Sequence, residues 1–192
     1  MMDSVEALKV ISRHRGSALV VGATSAAREW HDVSSNRNLD LPFGKAMGKA
    51  SSIGLGLALA RPKTRVFILD GDGSLVMNLG SLLTIANMAP PNLVHFVFEN
   101  GMYRTTGGQP IPNAGKFSFA ALARDAGYRN VYEIRELKEL EDSMEKIIRQ
   151  DGPTFACLKL KPISERASFP YPPLGETAQI ISRIRAELGD PS

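Results

Sequence analysis

The sequence predicts an α/β fold in three layers, α/β/α, with a mostly parallel central sheet. Residues 66–69 form a continuous apolar run, which is typical of a strand buried on both faces of a parallel sheet. A stripe of leucines at helical spacing follows, and a second apolar run occupies residues 93–98. A strand, a helix and a second strand in this order predict a right-handed parallel crossover, from which such sheets are built.

The composition is that of an ordinary globular domain and excludes several classes of protein. The 192 residues suffice for one domain with a full hydrophobic core. Lysine and arginine outnumber aspartate and glutamate by 23 to 20, without the basic stripe of a nucleic-acid-binding protein. We recognise no secretory signal and no membrane-length apolar stretch, and the single cysteine excludes a disulfide framework. We therefore expect a cytoplasmic protein that binds neither nucleic acid nor membranes.

The other elements are predicted from apolar periodicity and from glycine or proline at their ends. In chain order they are a helix at 4–14, a strand at 19–21, a helical segment within 44–60, one helix that is capped by Ser74 and stopped by Pro90, helices at 117–126 and 137–148, and a strand at 154–160. Residues 1–162 are predicted to form one domain. Residues 163–192 are predicted to form a proline-rich arm and a last helix that packs on this domain or on a neighbouring subunit.

Residues 22–43 are polar and show little periodicity, so we expect a long irregular connection after the first strand. Connections of this length are often functional. His31 and Arg37 are its candidates for contact with a substrate or cofactor, although both also suit a solvated loop. Trp30 is expected to anchor the connection to the body of the protein or to a partner.

Polar glycine turns follow both apolar runs. Asp70-Gly71-Asp72-Gly73 ends the first and Glu99-Asn100-Gly101 ends the second. In a parallel crossover both turns lie at the carboxyl ends of neighbouring strands, where open α/β sheets bind ligands. The oxygens of Asp72 and Asn100 suit magnesium, and the free amides of a helix capped by Ser74 suit phosphate. The two turns therefore predict a site for a magnesium-bridged diphosphate.

The same turns resemble the motif of the thiamine diphosphate-dependent enzymes, G-D-G followed after about 25 residues by N-N. Here the second half reads Glu99-Asn100. The resemblance implies the thiamine diphosphate-binding fold of a diphosphate-binding (PP) domain. It implies that Mg²⁺ is held by the side chains of Asp72 and Asn100 and by the carbonyl of Met102. The cofactor contacts that it implies are Gly71, Gly73, Ser74, Asn100 and Tyr103.

The segment from Gly44 to Ala60 resembles a second part of the same family, G-S-M-G-x-A-S-S. By that resemblance Met47 is the wedge that bends the cofactor, and the carbonyl of Lys45 accepts from its aminopyrimidine. Lys45-Ala46 stands where the family has Gly-Ser, so Ala46 keeps a backbone role without a hydroxyl. A dinucleotide fingerprint at 54–56 is rejected, because those glycines lie inside a helical run and the third glycine is missing.

Residues 104–110 form a polar loop with two glycines, directly beside the predicted metal site. Such a loop can close over a substrate and exclude water. Arg104 can pair with an anionic group, and Gln109 and Arg37 are further candidates for substrate contact. An ordinary surface loop with a solvated arginine is the alternative.

Read together, these segments resemble the small subunit of sulfopyruvate decarboxylase and the matching half of phosphonopyruvate decarboxylase. That resemblance implies a β-type subunit of a thiamine diphosphate-dependent decarboxylase acting on a small anionic 2-oxo acid. It also implies a hetero-oligomer, since the activating glutamate of such enzymes belongs to a pyrimidine-binding domain, here an α-type partner subunit. No catalytic residue is assigned securely to this chain.

Three other functions remain open on the sequence. A carboligase of the acetolactate synthase type has the same cofactor site. A decarboxylase of an uncharged or aromatic 2-oxo acid is favoured by Lys45-Ala46 and by the connection at 22–43. Outside enzymes, the chain suits a non-catalytic regulatory module that binds a magnesium nucleotide.

Overall fold

A parallel six-stranded sheet forms the centre of the protein in a computed structural model that describes residues 1–43, 47–161 and 177–189. Its strands are β1 (Leu19–Ala23), β2 (Asp40–Phe43), β3 (Val66–Gly71), β4 (Leu93–Glu99), β7 (Asn130–Ile134) and β8 (Thr154–Lys159). They lie in the order β2-β1-β3-β4-β8-β7, and each neighbouring pair is parallel. A separate hairpin pairs β5 (Met102–Tyr103) with β6 (Gln109–Pro110). The predicted parallel α/β sheet is confirmed.

Helices cover both faces of the sheet, as the three-layer prediction required. They are α1 (Ser4–Arg13), α2 (Thr24–Val33), α3 (Ala50–Ala60), α4 (Asp72–Val76), α5 (Ser81–Met88), α6 (Phe119–Ala126), α7 (Leu137–Arg149) and α8 (Thr177–Glu187). The apolar cores on the two faces separate along the strands, because successive side chains alternate in direction. Val66 and Ile68 pack with α3, α5, α6 and α8, whereas Phe67 and Leu69 pack with α1, α2 and α7.

The expectation of an irregular connection at 22–43 was wrong. Residues 24–33 form α2, and a short 3-10 helix (Arg37–Leu39) leads from it into β2. The buried side chains of Ala26, Ala27 and Trp30 hold α2 on the sheet. Their spacing is helical, but the polar residues between them masked the pattern.

The buried guanidinium of Arg15 holds the chain between α2 and β2. It donates to the Ser34 hydroxyl at 2.9 Å, to the Asn36 carbonyl at 2.9 Å and to the Asp40 carboxylate at 2.8 Å. It also stacks over Trp30, whose side chain is 2% exposed. Trp30 therefore anchors this segment to the body of the protein, as expected.

The single helix predicted after Gly71 is divided into α4 and α5. Gly71 is the N-cap of α4, so Ser74 lies inside that helix and not at its cap. The Ser74 hydroxyl is buried and accepts a hydrogen bond from the Gly48 N–H at 2.9 Å. Because this hydroxyl is used in a tertiary contact, the sequence cue for a cap at Ser74 was misleading.

The last described helix, α8, lies against the 3-10 helix and β2. Its side chains Ile180 and Ile184 are buried in the core. The Glu187 carboxylate accepts from the amides of Asn36 and Asn38, each at 3.0 Å. The predicted proline-rich arm lies outside the described residues, and the domain division at 162 stays a prediction.

None of the helices in the described ranges combines the length and the apolar character that a membrane span requires.

Candidate functional site

An open cavity lies at the carboxyl ends of β1, β3 and β4. This is the point at which the strand order reverses, with β2 on one side of β1 and β3 on the other. Ligands of open α/β sheets bind at such points. The cavity is lined by Ser4, Thr24, Ser25, Ala26, Glu29, Met47, Gly71, Asp72, Gly73, Ser74, Phe98, Asn100, Met102, Tyr103, Arg104, Thr105 and Leu160. The two polar glycine turns thus meet in one place.

The carboxylate of Asp72 joins the two turns. Its Oδ1 accepts from the Gly73 N–H at 2.8 Å. Its Oδ2 accepts from the N–H of Asn100 at 3.0 Å and from the N–H of Gly101 at 2.6 Å. The side chain is almost fully buried. Asp72 therefore fixes the start of α4 against the turn after β4.

Burial raises the pKa of Asp72 from an ordinary 3.8 to about 6, and the negative charge of Glu99 adds to the increase. The three backbone N–H donors oppose the shift without cancelling it. A nearby cation would stabilise the ionised form of such a buried carboxylate, because the cation offsets the loss of hydration. The electrostatics at Asp72 thus favour a bound metal ion.

The turn after β4 supplies further oxygens of the type that magnesium prefers. Oδ1 of Asn100 accepts from the N–H of Met102 at 2.9 Å, which fixes the amide of Asn100 above the turn. The carboxylate of Asp72, the amide oxygen of Asn100 and the carbonyl of Met102 are hard oxygen donors. The residues present therefore fit a magnesium ion bound to phosphate.

Gly73 allows the backbone of α4 to approach Tyr103 closely. A Cβ at Gly73 would lie 2.6 Å from Cδ1 and 2.9 Å from Cε1 of the Tyr103 ring, which is closer than atoms pack. The absence of a side chain at Gly73 thus allows the Tyr103 ring to pack directly on this turn, which lines the cavity. This is the arrangement expected for a phosphate at a glycine turn.

Met47 lines the cavity beside these turns. The next residue, Gly48, donates from its N–H to Ser74 and accepts at its carbonyl from the Asn78 amide at 2.9 Å. These bonds tie the segment before α3 to α4 and to the turn that follows α4. Met47 is thus held next to the predicted diphosphate site.

One protein family matches most of the chain. The family is described as "Thiamine pyrophosphate enzyme, C-terminal TPP binding domain", and its match covers residues 20–156. The chain belongs to this family. The match includes every strand of the central sheet except the first residue of β1 and the last three residues of β8.

Two curated relatives of this TPP-binding domain are a decarboxylase and a subunit of a decarboxylase. A phosphonopyruvate decarboxylase from Streptomyces viridochromogenes is 38% identical over 148 residues, which are 77% of this chain and 36% of the relative. The β subunit of sulfopyruvate decarboxylase from Methanothermobacter thermautotrophicus is 38% identical over 189 residues, which are 98% of this chain and 96% of the relative. The chain thus spans about a third of the first relative and nearly all of the second.

A solved structure shares the fold of this TPP-binding domain. It belongs to a protein from Mycobacterium smegmatis that is described as a thiamin diphosphate-dependent enzyme. The TM-score is 0.72 at 21% identity, over 84% of this chain and 32% of that one. The predicted fold class is therefore confirmed.

Three polar residues of α2 line the cavity of this TPP-binding domain and were not among the candidates. Thr24 and Ser25 begin the helix directly after β1, and Glu29 lies one turn further along. Thr24 has a positive φ of 50°, which is uncommon for a β-branched residue. The carboxylate of Glu29 is paired with the guanidinium of Arg104. Recognition of α2 in the sequence would have placed all three at the carboxyl edge of the sheet.

Other candidates lie away from the cavity. Arg37 is exposed and donates from Nε to the His31 carbonyl at 3.1 Å, and His31 is half-buried. Gln109 is exposed on β6. None of these three residues lines the cavity. Lys45 and Ala46 lie outside the described residues.

Glu99, which stands at the first Asn of the motif, is not among the residues that line the cavity. Its Oε2 lies 2.5 Å from Nζ of Lys159 and accepts from Sγ of Cys157 at 2.9 Å. Burial raises the pKa of the Cys157 thiol, which keeps the sulfur protonated and unreactive. Glu99 thus has a structural role in this domain.

Proposed function

We propose that this chain is the β-type subunit of a thiamine diphosphate- and magnesium-dependent 2-oxo acid decarboxylase. The observation that supports this most is the buried Asp72 carboxylate, which joins two glycine turns at one edge of a TPP-binding domain. The relative matched over nearly its whole length is a sulfopyruvate decarboxylase β subunit. The substrate class of the proposal is a 2-oxo acid with a sulfonate or phosphonate group.

In this proposal each wall of the cavity has a separate task. Asp72, Asn100 and the Met102 carbonyl hold Mg²⁺. The backbone amides at the start of α4 bind the diphosphate through their N–H groups. The other cofactor contacts are Lys45, Ala46, Met47, Gly71, Gly73, Ser74 and Tyr103.

When bound, thiamine diphosphate supplies the electron sink for loss of carbon dioxide from a 2-oxo acid. The chain's own residues bind and orient the reactants. The Tyr103 ring packs against Gly73 and would limit the access of water to a diphosphate bound there. Arg104, in the wall of the cavity, is the proposed contact for the acidic group of the substrate.

The proposal includes an α-type partner subunit that supplies the activating glutamate. Several curated relatives of similar length are named as β subunits, and the phosphonopyruvate decarboxylases are nearly three times longer than the region that this chain covers. Within the described chain, Glu29 does line the cavity. In the structure its carboxylate forms an ion pair with Arg104, so we assign it to that pair and leave the activating role to the partner subunit.

A reconstitution experiment tests this function. The protein is purified from cells that make it, its companions are identified by native mass spectrometry, and sulfopyruvate, phosphonopyruvate and pyruvate are assayed with the chain alone and with its companion. We expect carbon dioxide release only from the complex with thiamine diphosphate and Mg²⁺, and faster release from the acidic substrates. Full activity of the chain alone would overturn the division between subunits. A complex that binds a magnesium nucleotide and not thiamine diphosphate would overturn the function.

Carboligation is the second enzymatic candidate, because the same cavity would hold the same cofactor. An acetolactate synthase large subunit from Escherichia coli is 26% identical over 144 residues. Addition of an aldehyde acceptor and analysis of the products separates the two reactions. A hydroxyketone as main product would replace decarboxylation in the proposal.

A further inference from the structure

The wall of the cavity contains a buried ion pair that the predicted site did not include. Nη1 of Arg104 donates to Oε1 of Glu29, and the two side chains are 11% and 5% exposed. Both residues line the same cavity as Asp72. The pair connects α2 to the 3-10 helix (Arg104–Thr106) that follows β5.

The charges of Arg104 and Glu29 affect how an anionic ligand can bind in the cavity. Among the described residues that line the cavity, Arg104 has the one positive side chain, against the carboxylates of Glu29 and Asp72. An anionic ligand that enters is repelled by Glu29 and attracted by Arg104. While Glu29 accepts from Arg104, it competes with the ligand for the same guanidinium.

The two partners differ in how firmly they are held. Glu29 lies in α2, whose neighbours Ala26 and Trp30 are buried against the sheet. Arg104 begins a short helix without a buried residue, and Gly107 with φ 125° follows that helix. The guanidinium is the partner that can move, since it ends a long side chain on a glycine-bounded segment.

We propose that Glu29 is an internal counter-ion for Arg104, which exchanges this carboxylate for an acidic oxyanion group of the ligand. The identity of that ligand rests on the proposed function. The group is the phosphonate or sulfonate of a 2-oxo acid, or alternatively the diphosphate of the cofactor. Without a ligand, the pair compensates two charges that would be costly to bury separately. With a ligand, the oxyanion takes the place of Glu29 at the guanidinium.

Calorimetric titration of the protein with its companion chain tests the exchange in two arms. The first arm titrates thiamine diphosphate with Mg²⁺. The second arm titrates methylphosphonate into the cofactor-saturated protein, or into the cofactor-free protein if thiamine diphosphate does not bind. The variants are Glu29→Gln, Arg104→Gln and the double variant, with Asp142→Asn as the control. That control breaks an exposed ion pair with Lys138 on α7, far along the chain from the site.

We expect Glu29→Gln to bind more tightly and Arg104→Gln to bind roughly tenfold more weakly, in the arm whose oxyanion reaches Arg104. The double variant should bind as weakly as Arg104→Gln, because removal of Glu29 helps only while Arg104 is present. It also removes both buried charges, so it remains informative if a single variant does not fold. Asp142→Asn should behave as wild type.

The opposite outcomes overturn the exchange. If Glu29→Gln and Arg104→Gln weaken binding equally, the pair is a structural contact and Glu29 only orients Arg104. Wild-type affinity of both variants in both arms would also overturn the exchange. The proposed function would survive that result if Asp72→Ala still abolished cofactor binding. If thiamine diphosphate does not bind but methylphosphonate shows the expected pattern, the proposed function fails and the exchange stands.

Discussion

The Oδ2 atom of Asp72 accepts a hydrogen bond of 2.6 Å from the backbone N–H of Gly101. The two residues follow neighbouring parallel strands, β3 and β4, and they are 29 positions apart in the chain. One carboxylate therefore fixes the relative position of the two turns that the cavity is built from. A metal ion at Asp72 would be placed by the same contact that shapes the site.

The raised pKa of Asp72 predicts how the stability of the metal-free protein depends on pH. In the folded protein the carboxyl group holds its proton up to about pH 6, whereas the unfolded chain releases it near 3.8. This contribution to stability is present below pH 3.8 and is lost as the pH rises through 6, at a cost of about 3 kcal/mol. Denaturation from pH 4 to 8 measures it, and Asp72→Asn should remove this part of the pH dependence.

Bound Mg²⁺ should favour the ionised form of the Asp72 carboxyl group, and so stabilise the protein more at high pH than at low pH. Because a cation stabilises the ionised carboxylate, Mg²⁺ should raise the melting temperature more at pH 7.5 than at pH 5. The comparison uses wild type and Asp72→Asn, each with and without Mg²⁺ and thiamine diphosphate. An equal effect at both pH values would show that Asp72 is not the group that binds the ion.

Two glycines of α3 provide a matched pair for the packing of the helix on the sheet. A Cβ at Gly54 would lie 2.4 Å from Cγ1 of Ile68, whereas a Cβ at Gly56 would meet no atom within 4 Å. Gly54→Ala should lower the free energy of unfolding by about 1–3 kcal/mol through overpacking. Gly56→Ala should leave it unchanged or raise it by up to about 1 kcal/mol. Urea denaturation measures both, and equal effects would contradict this packing.

A second pair of glycines tests the cofactor side of the cavity. Gly73→Ala should displace the Tyr103 ring and weaken thiamine diphosphate binding about tenfold, equivalent to about 1.4 kcal/mol. Gly80→Ala is the control, since a Cβ there has open space. Calorimetry with Mg²⁺ present measures the affinities. If Gly73→Ala binds like wild type, the turn does not contact the diphosphate.

Removal of the buried Arg15 side chain, which does not line the cavity, should lower the free energy of unfolding strongly. Arg15→Ala would leave the buried carboxylate of Asp40 without its cation, at a cost of about 3–5 kcal/mol. Arg13→Ala breaks an exposed pair with Glu141 and should cost less than about 1 kcal/mol. Chemical denaturation of both variants measures the difference. Similar losses would mean that Arg15 does not organise the segment from Ser34 to Asp40.

The sheet and the position of the site could be predicted because local signals determine them. The run at 66–69 is apolar throughout, and Asp72 and Asn100 follow the ends of β3 and β4. Parallel crossovers place such ends together whatever the details of the helices. The spacing of the two glycine turns was therefore sufficient to locate the cavity.

The features that could not be predicted depend on polar contacts between residues that are far apart in the chain. Ser74 appeared to be a helix cap, but its hydroxyl binds Gly48, which is 26 positions away. Glu29 was not a candidate, since its role depends on Arg104, 75 positions away. Arg15 organises residues 34–40 through contacts that no local periodicity indicates. Pairings of this kind are set by the tertiary fold and leave no pattern in the nearby sequence.

Calorimetric titration of thiamine diphosphate into the protein with its companion chain, with and without Mg²⁺, is the most direct test of the central claim. Wild type should bind only with Mg²⁺, and Asp72→Ala should not bind measurably while it melts cooperatively. Asp142→Ala should bind like wild type. Cofactor affinity that is unchanged in Asp72→Ala, or that is independent of Mg²⁺, would contradict the assignment of this cavity as the magnesium-diphosphate site.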